Sequence, residues 1–342
     1  MVMAETVVFL GHTEAGGGLS RIALEALGAA KSVAGELVVG LVGQETQHAA
    51  NAIGGCGASR FLAVTGEPFG ESRYSTDCAA AEAICRAAGA TIVIAPHTSR
   101  WSRSLPGVAL RLGGRADTHI TGITRAENGL EVARWFYRQR MEALLERAER
   151  PWILLLDSGC CAAWQGDSAP VTLENIDVEI TPALVRTTVT GQQAPQSEQQ
   201  TIRPDAGLLF VAGAGWTKKQ KDGAVHAGQA SELISRFLEL SQASLGSSKS
   251  LVDLSGEGHV VLPFLSHLNQ VGQTGSTPRH PKGLATCCHG EEPHVVGWRF
   301  IQERRAVNLD PNCGWARGKA DVLYVADAFE VMARVNALLE KR

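Results

Sequence analysis

Short apolar runs alternate with longer amphipathic stretches along most of this chain. Thr6–Gly11, Glu36–Val42, Arg60–Val64, Thr91–Ala95 and Ile153–Asp157 are Val-, Ile- and Leu-rich and bounded by Gly, Pro or polar residues, which predicts strands. Between them, Leu19–Val33 and Thr76–Ala88 carry Ala and Leu at helical spacing. Strands buried on both faces read as continuous apolar runs, so this alternation predicts a mainly parallel sheet covered by helices. Arg134 to Ala148 fits a strand edge or a helix, and periodicity does not choose. A second alternation follows residue 206, with strands at Gly207–Ala212, Gly258–Leu262, Arg305–Asn308 and Asp321–Val325 and a helix at Ala227–Leu240. The Gln-, Thr-, Ser- and Pro-rich stretch around 187–205 separates the two. The expected organisation is an α/β domain over 1–190, a linker over 191–205 and a second α/β domain over 206–342.

A length of 342 residues is comfortable for two cores. A net charge of −3 offers no basic field for nucleic acid. Trp152 to Leu156, the longest apolar stretch, is far too short to span a bilayer. With no basic segment leading an apolar one at the N-terminus, the expected location is cytoplasmic. The eight cysteines form no C-x-x-C, and Cys160-Cys161 and Cys287-Cys288 are adjacent pairs, so zinc and iron–sulfur spacings are missing. They read as buried or half-buried free thiols. Arg100 to Arg103, with Trp101 interleaved, reads as a solvated loop.

The run Gln270-Val271-Gly272-Gln273-Thr274-Gly275 carries the most chemistry: glycines that let backbone approach a ligand, and polar side chains sized to read a ring edge. Pro293-His294, Val307-Asn308-Leu309-Asp310-Pro311, Ala320-Asp321 and Asp327-Ala328-Phe329 follow it. Together these resemble the FAD-binding domain of the electron transfer flavoprotein alpha subunit. Gly18-Leu19-Ser20-Arg21 is similar to that family's N-terminal turn, Arg115-Ala116-Asp117 with Ile120-Thr121-Gly122-Ile123 to a segment further on, and Leu208 to Gly215 to the strand and turn that open its flavin domain. Gly16-Gly17-Gly18 lacks both the G-x-G-x-x-G and Walker patterns, so no nucleotide is expected there.

The resemblance implies a Rossmann-like second domain holding FAD. Gly213-Ala214-Gly215 and Gly246-Ser247-Ser248-Lys249 are candidate phosphate turns. Lys249 stands where the family has an arginine, keeping the charge but losing the planar fork. Thr274 matches a threonine beside flavin N5, and Gln273 a contact to the ring edge or ribityl chain. His294 matches a histidine on the pyrimidine side, where it would stabilise charge arriving on reduction. Asn308 and Asp327 match adenosine contacts, while Asp310 before proline also suits a turn. His289 and Gly290 lie in a loop where the chain departs from the family, with Glu291 and Glu292 adding negative charge that disfavours reduction. The implied role is an electron-carrying heterodimer: a beta-type partner subunit, a flavin-dependent dehydrogenase (methylated-amine or acyl-CoA) as donor, and a downstream acceptor. Two alternatives stay open, a structural subunit that has lost flavin and a nicotinamide dinucleotide-binding subunit.

Overall fold

The computed structural model describes residues 5–126, 129–136, 141–191, 202–203, 206–253, 262–272, 278–287, 298 and 301–341. The chain divides into two compact units, Met1–Gln193 and Ala194–Arg342.

The first unit is built on strands β1 (Thr6–His12), β2 (Glu36–Gly43), β3 (Arg60–Thr65), β4 (Ile92–Pro96), β5 (Arg115–Ala126), β6 (Gly129–Phe136), β7 (Met141–Leu145), β8 (Trp152–Leu156) and β9 (Glu174–Asn175). Their spatial order is β7-β6-β5-β8-β4-β1-β2-β3-β9. The strands from β5 through β8 and β4 to β9 pair in parallel, while β5, β6 and β7 form an antiparallel meander at one end. Its helices are α1 (Arg21–Val33), α2 (Gln47–Ala52), α3 (Glu67–Gly70), α4 (Tyr74–Ala88) and α5 (Ser99–Arg111).

The two-residue period of each central strand sorts its side chains onto two cores. Val7, Phe9, Val39, Leu41, Ile92, Ile94 and Leu154 pack with Ala26, Leu27 and Ala30 of α1. Their neighbours Val8, Leu10, Val38, Leu62, Val93 and Leu155 pack on the opposite face with Ile84 of α4 and Leu105 of α5. Of the stretch Arg134 to Ala148, residues 134–136 end β6 and Met141–Leu145 form β7, while 137–140 lie outside the described residues. Buried Asp117 anchors this meander, accepting from Arg134 (2.8 Å), Arg147 (2.5 Å) and Trp152 Nε1 (2.9 Å). Burial pushes its carboxyl up, but the hydrogen bonds and charges of these partners outweigh that and hold it below the usual carboxylate range.

The expected solvated loop at Arg100–Arg103 is instead the first turn of α5, capped by Thr98 Oγ1 accepting from Trp101 N. Trp101 is fully buried. Arg100 is buried too, donating to Asp77 Oδ1 (2.6 and 3.0 Å) and to the carbonyls of Phe69 and Gly70. Pairing with a carboxylate and two carbonyls is what allows an arginine to leave water here.

The second unit holds β10 (Leu208–Ala212), β11 (Ser244–Ser247), β12 (Lys282–Thr286), β13 (Glu303–Asn308) and β14 (Val322–Val325), all parallel in the order β11-β10-β12-β13-β14. Among the described residues it carries helices α6 (Ala227–Ser241), α7 (Lys249–Asp253), α8 (Gly314–Lys319) and α9 (Ala328–Leu339). One face buries Phe210 and Ala212 under Ile234, Phe237 and Leu238 of α6 and Met332 of α9. The other buries Leu209, Val211, Ala285 and Ala306 against Val271, Trp298 and Ala316. Strands β11 and β12 were not expected from the sequence. The strand expected at Gly258–Leu262 falls outside the described residues except for Leu262, which is not in a strand, as does most of the expected linker.

Of the seven described cysteines, five are buried and two half-buried, and Cys288 lies outside the described residues.

Candidate functional site

In open parallel sheets, ligands bind beyond the carboxyl ends of the strands, at the point where strand order reverses. In the second unit that point lies between β10 and β12, because β10 pairs with both β11 and β12. Every described candidate residue falls on this edge. Ser248 and Lys249 follow β11, Asn308 ends β13, and Asp327 follows β14. Gln270, Val271 and Gly272 join them because Val271 N donates to Ser247 O at 3.0 Å, extending the end of β11.

Around β11 the groups are held from several sides. Ser248 N donates to Ala212 O at 2.9 Å, and Ser248 Oγ accepts from Leu251 N, capping α7. Lys249 Nζ pairs with Asp253, which His267 Nε2 also meets at 3.1 Å. The Lys249 hydrogen bond holds the half-buried Asp253 carboxyl below its ordinary range. Val271 is fully buried in the sheet face, Gln270 is buried, and Gly272 takes a left-handed φ of 81° that favours glycine. Ser247, which the sequence reading named only within a turn, has a buried hydroxyl with no hydrogen-bond partner among the described residues. A buried orphan hydroxyl carries a desolvation cost that a polar ligand at this edge would remove.

The glycine turn after β10 behaves differently from a phosphate cradle. Gly213 N donates to Thr286 O (2.9 Å) and Gly215 N to Cys287 O (3.0 Å). These two N–H groups tie β10 to β12, so they do not point at a ligand. A Cβ on Gly213 would stand 2.7 Å from Cys287 O, so the strands' close approach requires glycine. Trp216 Nε1 donates to Thr286 Oγ1 at 2.8 Å, and its ring packs on Phe329.

Asn308 Oδ1 accepts from Asp310 N (2.9 Å), and Asp310 Oδ1 accepts from Asn312 N (2.8 Å), two successive Asx turns. Asp327 Oδ1 accepts from Phe329 N at 2.8 Å and caps α9. Both adenosine candidates therefore also shape the backbone of the edge. Gln273, Thr274, Gly275, His289, Gly290 and His294 lie outside the described residues.

The electron transfer flavoprotein domain family matches the chain over residues 7–181. The chain belongs to the electron transfer flavoprotein family. The match spans the doubly wound sheet of the first unit and stops short of the second, where all the candidate flavin residues lie. No curated protein matches the chain. An electron transfer flavoprotein-type role follows from the family, whose members bind flavin. Among the described residues no helix is long and apolar enough to cross a membrane.

The first unit has its own reversal, between β1 and β4, since β1 pairs with β2 on one side and β4 on the other. A cleft of about 570 Å³ opens there, lined by His12, Glu14, Glu71, Thr98 and Arg100 among others. His12 is buried, with Nε2 3.2 Å from Thr98 Oγ1 and its ring edge-on to Trp101. Burial, reinforced by the Arg100 charge, pushes its imidazole down to about 4. Beside it, His97 Nδ1 lies 2.6 Å and His119 Nδ1 3.4 Å from Asp157 Oδ1. Burial pushes the Asp157 carboxyl up, but hydrogen bonds and charge from His119 and His97 hold it well below the usual carboxylate range. Sequence reasoning missed this cluster because its three members are scattered along the chain.

Proposed function

We propose that this chain is the alpha-type subunit of an electron transfer flavoprotein heterodimer, with FAD held at the carboxyl edge of the second sheet. The observation that carries the reading is the convergence of Ser248, Lys249, Gln270, Asn308 and Asp327 on that one edge, in a family member whose matched segment ends before it. The residues present fit the group: the orphan Ser247 hydroxyl, the neighbouring Ser248 and the cationic Lys249 offer donors for phosphate or ring oxygens. FAD, when bound, supplies a carrier that takes up and returns electrons singly. Lys249 places positive charge beside the arriving negative charge, screened in part by Asp253. Gln270 and Val271 sit against the end of β11, and Gln273 and Thr274, the next polar residues in sequence, are the flavin ring contacts in this reading. Asn308 and Asp327 orient the adenosine end. His289, Gly290 and His294, which follow β12 in sequence, are further flavin contacts in this reading. A beta-type subunit closes the site, a flavin-dependent dehydrogenase delivers electrons, and a downstream acceptor removes them.

The test is the visible spectrum of the purified chain, co-expressed with its beta-type partner, during stepwise anaerobic reduction. Flavin bands that bleach in two successive one-electron steps are expected. A colourless complex that added FAD does not restore would overturn the reading and leave a structural subunit.

A further inference from the structure

Two imidazoles and one carboxylate converge at the carboxyl edge of the first sheet. One ring nitrogen each from His97 and His119 and one oxygen of Asp157 all lie within 4.8 Å of one another. They come from three neighbouring strands: His97 follows β4, Asp157 follows β8, and His119 sits within β5. Backbone bonds hold them in register, with His97 N donating to Leu156 O and Asp157 N to Ile120 O, both at 2.8 Å. His119 arrives by a local departure from the sheet. The β5–β8 register slips between Asp117 and Ile120, and His119 takes a left-handed φ of 58°. That conformation is uncommon for a residue with a side chain, and it brings the His119 ring edge-on to His97, with centroids 4.5 Å apart.

We propose that His97, His119 and Asp157 form a binding site for a divalent transition-metal ion of the zinc class. Four donors about 2.0–2.1 Å from a zinc ion stand roughly 3.4 Å apart. The His119–Asp157 separation of 3.4 Å already meets this, and the His97–Asp157 separation of 2.6 Å must open by less than about 1 Å. Two nitrogens and one oxygen favour zinc, cobalt or nickel over the oxygen-seeking magnesium and calcium. His119 is 56% exposed, while His97 and Asp157 are each 15% exposed, so the remaining coordination position faces solvent. The site lies wholly in the first unit and is independent of the flavin reading.

The experiment uses the full chain, stripped with EDTA and desalted, and titrated with zinc chloride against a chromophoric chelator. One equivalent bound with a sub-micromolar Kd is expected. His119→Asn, which tolerates the left-handed backbone, is expected to weaken binding at least 100-fold, with far-UV circular dichroism unchanged. His97→Gln gives the same readout should the first variant unfold. Cobalt chloride added to the stripped protein is expected to give visible bands without a sulfur-to-cobalt band, since Cys160 and Cys161 stand close in sequence. Failure to bind one equivalent, equal affinity in a folded histidine variant, or a thiolate band would each overturn the assignment.

Discussion

His12 ties the stability of the first unit to pH in a window that can be worked out in advance. Its imidazole is buried beside Arg100 and is pushed down from 6.5 to about 4. Between those values the unfolded chain binds a proton at this residue and the folded chain does not. Stability from His12 is therefore fully present above pH 6.5 and is lost as pH falls through 4. At about 1.4 kcal/mol per pH unit, the whole window is worth about 3 kcal/mol. Asp157, whose carboxyl is lowered, loses its contribution only below its ordinary value of 3.8 and leaves this window undisturbed. The comparison is wild type against His12→Gln, which keeps a polar group near Thr98 but cannot titrate. Urea unfolding followed by tryptophan fluorescence, in EDTA from pH 4.5 to 7.5, gives the two stability profiles. The wild-type curve is expected to fall toward acid more steeply than that of the variant by about 2–3 kcal/mol. Parallel curves, or a His12 NMR titration with its midpoint near 6.5, would refute the reasoning.

Four further perturbations follow from the same contacts. Arg100→Ala strands buried Asp77 without its guanidinium and is expected to cost about 3–5 kcal/mol, read as a lowered first transition on thermal denaturation. Gly213→Ala drives a Cβ into Cys287 O and is expected to cost about 1–3 kcal/mol by urea unfolding, with reduced flavin retention on gel filtration. Asp327→Ala removes the cap of α9 for about 1 kcal/mol; Asp327→Asn keeps a capping oxygen, and a wild-type FAD affinity in that variant would deny the carboxylate any adenosine role. Lys249→Gln removes a cation from the proposed flavin edge and is expected to lower the first reduction potential by about 1 kcal/mol, or tens of millivolts for one electron, in a spectroelectrochemical titration.

The strands most legible in the sequence are those buried on both faces. Val7 to Leu10, Leu37 to Val39 and Ile153 to Leu156 are continuous apolar runs because helices cover both sides of the sheet. Ser244–Ser247 and Lys282–Thr286 were missed because they are short and interrupted by Gly and polar residues, yet they pair with β10 on either side. Arg100 was read as solvated because charge ordinarily seeks water. Asp77 reversed that, and it sits far away in sequence on α4.

Local chemistry in the chain was enough for the α/β class and the electron transfer flavoprotein family. Each of these rests on residue spacings shorter than a helix or on motifs read in order. Only the tertiary structure decided which residues meet. Parallel pairing brings the ends of β10 to β14 to one edge, so Lys249, Gln270, Asn308 and Asp327 fall on that edge together only once sheet order is known. The same holds for His97, His119 and Asp157, joined by strand register and by a one-residue slip in β5. Strand order and register are set by long-range burial, and a reading of local periodicity contains neither.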